Sequence, residues 1–310
     1  MPISRSLWIP LAGIWTLLIA ATTLVAILSR FGAKKDFANL IERTKSWWVL
    51  LAIFTGAVLG GKTATIILFA GISFIALREF FRMTPMRKSD SRVLLWGYAS
   101  VLFQFYWTAI GWYGMFIVFI PVYGLLLLSF RLILTQETED FLRAAGSIYW
   151  GLMICVYSIS HLAYFFSLPP LHGSALAGPK LLIFLVFLSQ FNDVSQYACG
   201  KLIGKQKVLP LISPNKTWEG LIGGICITTA ASLCLSHFLT PFNWVQSLFA
   251  GILIALTGFL GDVTISAVKR DMRIKDTGSL IPGHGGVLDR IDSLTFSSPL
   301  FFHLIYYLYY

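Results

Sequence analysis

The sequence predicts an all-α, polytopic transmembrane protein of about ten spans, with its chemistry on the cytoplasmic side of the C-terminal helices. Three observations carry this. Of 310 residues, 56% are hydrophobic and only 12% charged, against about 45–50% and about 25% in an ordinary soluble domain. The mean hydropathy is +0.75. Apolar runs long enough to cross a hydrocarbon core, which takes about 20 residues, recur along the chain. Together these exclude a soluble globular enzyme, a disordered chain and a coiled coil. Nothing alternates like barrel strands, and unpaired backbone in lipid is costly, so the spans are helices.

The runs fall at 7–29, 47–61, 63–81, 93–109, 113–131, 146–167, 179–198, 220–239, 245–267 and 295–310. The second is short, flanked by Trp47 and Trp48, which suit a membrane interface, and by Gly60-Gly61, which suits a tight hairpin. Without it the count is nine. The first run is too long for the apolar core of a signal peptide, and no clear cleavage pattern follows it.

The chain holds 24 Lys+Arg against 14 Asp+Glu, net +10. In a soluble protein that excess would raise the question of nucleic acid; here the charges sort by loop, and no nucleic-acid partner is expected. Segments 30–46, 78–92, 131–145, 199–219 and 268–294 hold 21 of the basic residues; the alternate segments hold only Arg5, Lys62 and Lys180. The positive-inside rule puts those five segments in the cytoplasm and both termini outside. Membrane lipids are thus the first partner. The four cysteines, Cys155, Cys199, Cys226 and Cys234, show no disulfide or zinc spacing and read as packing residues. No internal repeat is evident. The composition shifts near residue 179. Residues 1–178 are apolar helices with basic loops, and residues 179–310 carry loops 199–219 and 268–294, rich in Gly, Pro, Asp and Lys, within one continuous membrane domain.

Carboxylates in apolar runs mark candidate sites, because an ionised group in a span must face a cavity, a cation or a partner. Asp193 lies in Phe191-Asn192-Asp193-Val194-Ser195-Gln196-Tyr197, and Asp262 closes Gly258-Phe259-Leu260-Gly261-Asp262. Ser266 follows Asp262 by four residues and shares its helix face. In loop 199–219, Lys205 precedes Ser213-Pro214-Asn215-Lys216-Thr217-Trp218-Glu219-Gly220. That stretch reads as a helix start, with Ser213 as N-cap and Pro214 at the first helical position. Lys216 and Thr217 beside a helix N-terminus suit a phosphate.

Segment 266–292 is the most informative. Lys269, Arg270 and Lys275 precede Asp276; then come His284-Gly285-Gly286, Asp289, Arg290 and Asp292. Asp289 and Asp292, three apart, would share a helix face. With Asp262 they make an oxygen-rich set suited to Mg²⁺. The basic residues suit phosphate oxygens, and the glycines let backbone N–H groups approach a ligand. Acids for a metal interleaved with bases for phosphates suit metal-assisted nucleotidyl transfer. A cation-coupled transporter, with Asp193 and Asp262 as ion sites, is the rival of a different class.

Segment 266–292 resembles the signature of the phosphatidate cytidylyltransferase (CDP-diacylglycerol synthase) family: Ser266, Lys269-Arg270, Lys275-Asp276, Pro282, His284-Gly285-Gly286, Asp289-Arg290 and Asp292 stand at its fixed positions. Asp193 to Tyr197, Gly200, Gly204-Lys205 and 213–220 are also similar. The likeness is close over 179–310 and confined to hydropathy before it. It implies an integral membrane enzyme joining CTP and phosphatidate into CDP-diacylglycerol and pyrophosphate, in a cavity open to the cytoplasmic leaflet. It implies Mg²⁺ held by Asp262 and Asp289, a second cation such as K⁺, and a homodimer. Asp193 and Asp292 are further metal candidates. Lys269, Arg270, Lys275, Asp276, Ser266 and His284 are the expected catalytic set. Lys205, Ser213, Asn215, Lys216, Thr217 and Arg290 are expected to bind substrate. Two departures point to a paralogous branch: Gln196 where the family commonly has Ala, and an extra N-terminal span; a cytidylyltransferase acting on another lipid phosphate, such as an ether-linked or isoprenoid one, is the alternative. A bacterial inner membrane is the expected location. The Asp-Gly-x2-Ala-Arg pattern of CDP-alcohol phosphotransferases is absent.

Overall fold

The computed structural model describes residues 5–31, 34–85, 87, 91–171, 177–281 and 285–310. His284, with Pro282 and Gly283 beside it, and His172 lie outside the described residues. The chain forms helices α1 (Arg5–Phe31), α2 (Lys34–Leu59), α3 (Gly61–Met83), α4 (Ser91–Ile110), α5 (Tyr113–Ile133), α6 (Phe141–Ser167) and α7 (Ala177–Ile203). Strands β1 (Lys207–Leu209) and β2 (Ser213–Thr217) follow, then α8 (Trp218–Leu239), α9 (Trp244–Asp271), the single turn α10 (Leu288–Ile291) and α11 (Leu294–Tyr309).

Each expected span overlaps one of these helices. Among the described residues seven helices are long and apolar enough to cross a membrane: Leu7–Ile27 within α1, then α3, α4, α5, α6, α8 and α9. The expected span 179–198 lies within α7, whereas 47–61 runs past the end of α2 into the start of α3 and 295–310 runs one residue past α11. Helix α2 opens on a charged stretch, α7 carries Lys180, Asp193 and Lys201, and α11 has only 16 residues. The protein is an all-α multi-pass membrane protein.

Two helices depart from regular α geometry for visible reasons. In α5 a π-turn spans Phe119–Gly124 and contains Pro121, which has no N–H to give the ladder. In α6 a second π-turn spans Met153–Tyr157, and the Ser158 hydroxyl donates to the Met153 carbonyl at 2.9 Å. Ser298 on α11 then donates to the Ser158 carbonyl at 2.8 Å, so the irregular turn becomes an inter-helix tie. One turn later, His161 Nδ1 donates to Tyr157 O at 2.8 Å, and its Nε2 meets His303 Nε2 of α11 at 3.3 Å. These histidines are 142 residues apart and had no visible partner in the sequence.

The site-bearing half is drawn together by small residues and one asparagine. Gly220 and Gly224 on α8 face α7, where a Cβ on Gly220 would stand 2.8 Å from the Gln196 carbonyl oxygen and 3.0 Å from Gly200 Cα. Small residues four apart let two membrane helices approach at backbone distance. Asn192 of α7 is fully buried; its Nδ2 donates to Ala255 O of α9 at 3.3 Å, and its Oδ1 accepts from Thr228 of α8 at 3.2 Å. Asp193, the next residue, is therefore set by a three-helix junction. The α9 helix starts on a reciprocal cap in which Asn243 and Gln246 each accept the other's backbone N–H.

One local expectation is corrected. Ser213 and Pro214 do not open a helix. They lie in β2, which pairs antiparallel with β1 in the register Lys207↔Thr217 and Leu209↔Ser213. The helix begins at Trp218, and Thr217 is its N-cap, accepting from Gly220 N at 3.1 Å. Strand pairing satisfies the backbone of 213–217, and Thr217 supplies a cap four residues later than Ser213 would. The Thr217→Ala variant is expected to lose about 1 kcal/mol of local helix stability. This would read as a lower thermal-denaturation midpoint in detergent, with Thr217→Ser close to wild type.

Candidate active site

The ends of α7, α8 and α9 and the β1–β2 hairpin enclose a cavity of about 570 Å³. Its walls include Asp193, Gln196, Tyr197 and Lys201 from α7, Lys207, Ser213, Asn215, Lys216 and Thr217 from the hairpin, and Phe259 and Asp262 from α9. Lys216 Nζ and Asp262 Oδ2 form an ion pair at 2.6 Å, and the Lys216 ammonium lies 4.8 Å from the centre of the Phe259 ring. Ser266 Oγ donates to Asp262 Oδ1 at 3.3 Å. Asp193 Oδ1 is buried and has no hydrogen-bond partner.

The four expected metal-binding carboxylates divide into two groups. Asp193, Asp262 and Asp292 lie within electrostatic reach of one another, with Arg290 close to both Asp193 and Asp292. Gly261 makes this possible: a Cβ there would collide with the Asp292 carbonyl oxygen, so α9 and residue 292 touch backbone to backbone. Asp289 turns the other way. Its Oδ1 accepts from Lys269 Nζ at 2.7 Å. Its Oδ2 accepts from Thr277 N at 2.8 Å, Thr277 Oγ1 at 3.0 Å and Gly286 N at 3.0 Å. Burial pushes the Asp289 carboxyl up; the Lys269 ammonium and the Thr277 and Gly286 N–H groups outweigh it and hold the carboxyl below its ordinary value.

The other expected residues are placed as follows. Arg270 bridges two loops, its Nε donating to Ile212 O and its Nη1 to Ile274 O, both at 3.2 Å. Lys275 and Asp276 are exposed. Lys205 is exposed outside the cavity lining, on the turn whose next N–H, at Gln206, donates to both Glu219 oxygens. Gly285 has φ +80°, and a Cβ there would stand 2.8 Å from Asp289 Oδ2, so only glycine fits.

Glu79 is the residue that sequence reasoning missed. It lies on α3, in the half of the chain that read as apolar helices, and is 8% exposed. Its carboxylate accepts from Val287 N and Leu288 N, each at 2.9 Å, and from Thr277 Oγ1 at 3.2 Å. Thr277 thereby joins Glu79 to Asp289. The sequence did carry a signal, a carboxylate inside the apolar run 63–81. The two flanking arginines, Arg78 and Arg82, disguised it as the edge of a basic loop. Gln196, Lys201 and Lys207 on the cavity wall were also unassigned.

The donor set suits a hard divalent cation. Among the described residues no three His, Cys, Asp or Glu side chains form a ready-made cage. Mg²⁺, however, is commonly held by one or two carboxylates, with substrate phosphates and water completing its shell. The unpartnered Asp193 Oδ1, within electrostatic reach of Asp262 and Asp292, fits that role.

A helical membrane bundle with carboxylates and lysines around a cavity is suited to binding phosphates. Its match to known proteins narrows the class to nucleotidyltransferases. The chain belongs to the cytidylyltransferase family, whose profile matches residues 41–308. It is 39% identical to the uncharacterized protein YnbB of Escherichia coli (strain K12) over 299 residues, 96% of this chain and 97% of the relative. It is 29% identical to a phosphatidate cytidylyltransferase of Staphylococcus epidermidis over 263 residues, and 30% identical to that of Staphylococcus haemolyticus over 266. Each of these covers 83% of this chain and 96% of the relative. Helix α1 precedes the family match.

Two outcomes follow for segment 272–288. Glu79→Ala should leave the Val287 and Leu288 N–H groups unpaired and raise the rate of limited proteolysis within this segment several-fold, with Glu79→Gln intermediate. Because the Asp289 carboxyl is held below its ordinary value, its contribution is present above the ordinary carboxylate range and is lost as pH falls through the depressed value. Acid should therefore open the segment to protease in the wild type at a lower pH than that range. Asp289→Asn should be open already at neutral pH.

Proposed function

We propose that this protein transfers the cytidylyl group of CTP to phosphatidate, giving CDP-diacylglycerol and pyrophosphate, in a bacterial inner membrane with both termini outside. The observation that supports it most is the Lys216–Asp262 ion pair on a cavity wall that also holds an unpaired Asp193 oxygen. The names of the staphylococcal relatives support the same acceptor.

In this reading a phosphate oxygen of the lipid forms a bond to the α-phosphorus of CTP while the bond from that phosphorus to the bridging oxygen breaks, and pyrophosphate leaves. The nucleophile needs no strong base, because the second pKa of a phosphate monoester is about 6. The obstacle is repulsion between two anions, so the work is charge neutralisation and in-line positioning. Lys216 is poised on the cavity wall to bind phosphate oxygens, with Asp262 fixing its ammonium. Lys201 and Lys207 line the same wall nearer the loops. Lys269 and Asp289 brace segment 272–288, and a phosphate drawing Lys269 away would free an Asp289 oxygen. Asp262, Asp193 and Asp292 are the residues that would hold Mg²⁺, which when bound supplies neutralising charge at phosphate oxygens, and Asp289 would join them only with an oxygen freed from Lys269. Phe259 and Leu221 give the cavity an apolar wall for a lipid.

The test is release of pyrophosphate from CTP by the purified protein with phosphatidate and Mg²⁺. Wild type should turn over, and a chelator should stop it until Mg²⁺ is restored. Lys216→Ala and Asp262→Asn should each lower kcat on the order of 10²-fold, the scale of one lost charge-stabilising contact. Absence of product with any phosphorylated lipid would sink the reading. Cation uptake into vesicles without CTP would support transport in its place.

A further inference from the structure

The cavity wall holds a donor that the protein itself does not use. Gln196 is 8% exposed and lines the cavity, and its Nε2 has no hydrogen-bond partner. A buried donor without a partner costs free energy that an apolar side chain of similar size would avoid. Its persistence at a cavity wall points to a ligand group that completes it.

The side chain is also aimed. Gly224 of α8 faces it, and a Cβ there would collide with Gln196 Cγ and stand 3.3 Å from Gln196 Cα. The glutamine stem thus fills the place of a missing side chain between α7 and α8, and little freedom is left to the amide. On α7 the residue lies five positions before Lys201, about 7.5 Å along the helix and away from the basic loops. The same cavity wall carries Leu221 and Phe259, both largely buried, which pack with Val208 and Leu209 of the hairpin, and the Lys216 ammonium lies 4.8 Å from the Phe259 ring. A lipid whose phosphate meets Lys216 has this apolar patch beside it for its glycerol and acyl esters, on the wall that also carries the Gln196 amide.

We infer that Gln196 forms a subsite for a glycerol-ester oxygen of the lipid acceptor, and that it selects diacylglycerol phosphates over lipid monophosphates that carry no oxygen there. This rests on the cytidylyl-transfer reading and adds a source of acceptor specificity to it. A site built to hydrogen-bond a polar group rejects the analogue lacking it, because the buried donor is then left unpaired. Gln196 acts in this way by binding and takes no part in the bond changes.

The experiment uses the full-length protein in mixed micelles with Mg²⁺. Pyrophosphate release is followed with dioleoyl phosphatidate and with hexadecyl monophosphate, and KM is measured separately for CTP. Wild type should favour phosphatidate. Gln196→Leu, close to isosteric, should lower kcat/KM for phosphatidate about tenfold or more, leave KM for CTP within about twofold, and leave hexadecyl monophosphate turnover unchanged or raised. Gln196→Ala, which asks for no extra room beside Gly224, should shift discrimination the same way. A loss that appears in the KM for CTP overturns the inference in favour of a nucleotide contact. An equal loss with both acceptors overturns it in favour of a packing role. Equal wild-type kcat/KM for the two acceptors overturns it without any variant. Wild type inactive with every lipid removes the underlying reading as well, whereas an active enzyme with unchanged discrimination in both variants removes this inference alone.

Discussion

The described residues of segment 272–288 have almost no regular structure, so their backbone donors must find acceptors elsewhere. Two buried carboxylates supply them. Glu79 reaches from α3 to the N–H groups of Val287 and Leu288, and Asp289 folds back on Thr277 and Gly286, with the Thr277 hydroxyl touching both. Lys269 neutralises one member of the knot and fixes it to the end of α9. The rest of the site depends on this arrangement. It sets the position of α10, hence of Asp292, hence of the carboxylate that faces Asp193 and Asp262. A helix of the chain's N-terminal half, itself within the family match, is therefore part of the site's frame.

Close packing does the complementary work on the other side of the cavity. Gly220, Gly224 and Gly261 remove side chains where backbones must meet, and Asn192 ties α7 to both neighbours. In a membrane bundle there is no hydrophobic gain from pressing helices together, so small residues and inter-helix hydrogen bonds carry the association. The consequence is a polar cavity whose wall groups are held rather than merely present. Lys216 is fixed by Asp262 and Phe259, and Gln196 by the gap at Gly224. Asp193 and Gln196, three apart on one helix, each keep one unpaired buried atom on that wall.

Much of this was legible in the sequence, and the reason differs by feature. The spans were readable because length and apolarity are local properties of a segment. The Asp262–Ser266 contact was readable because residues four apart on a helix share a face. The start of α8 was misread because Ser213-Pro214 and Thr217 are both good caps. Pairing with β1, a contact made across a turn, decided between them. Glu79 was hidden because its partners lie about 200 residues away and two of the three are backbone groups, which leave no mark in composition. The division of the carboxylates was hidden for a related reason. Spacing placed Asp289 and Asp292 on one face, but α10 is a single turn, and each side chain follows its own partner.

By itself, then, the sequence determined the class: an all-α membrane protein with acids and bases interleaved in segment 266–292. That follows from chemistry each segment carries alone, because apolar length and charge do not depend on neighbours. The tertiary structure decided which of those groups meet. It paired Lys216 with Asp262 and Lys269 with Asp289, brought Glu79 into the site, and left Asp193 and Gln196 unsatisfied on the cavity wall. Those outcomes rest on helix-to-helix distances set by a few glycines and one asparagine, which no single segment specifies.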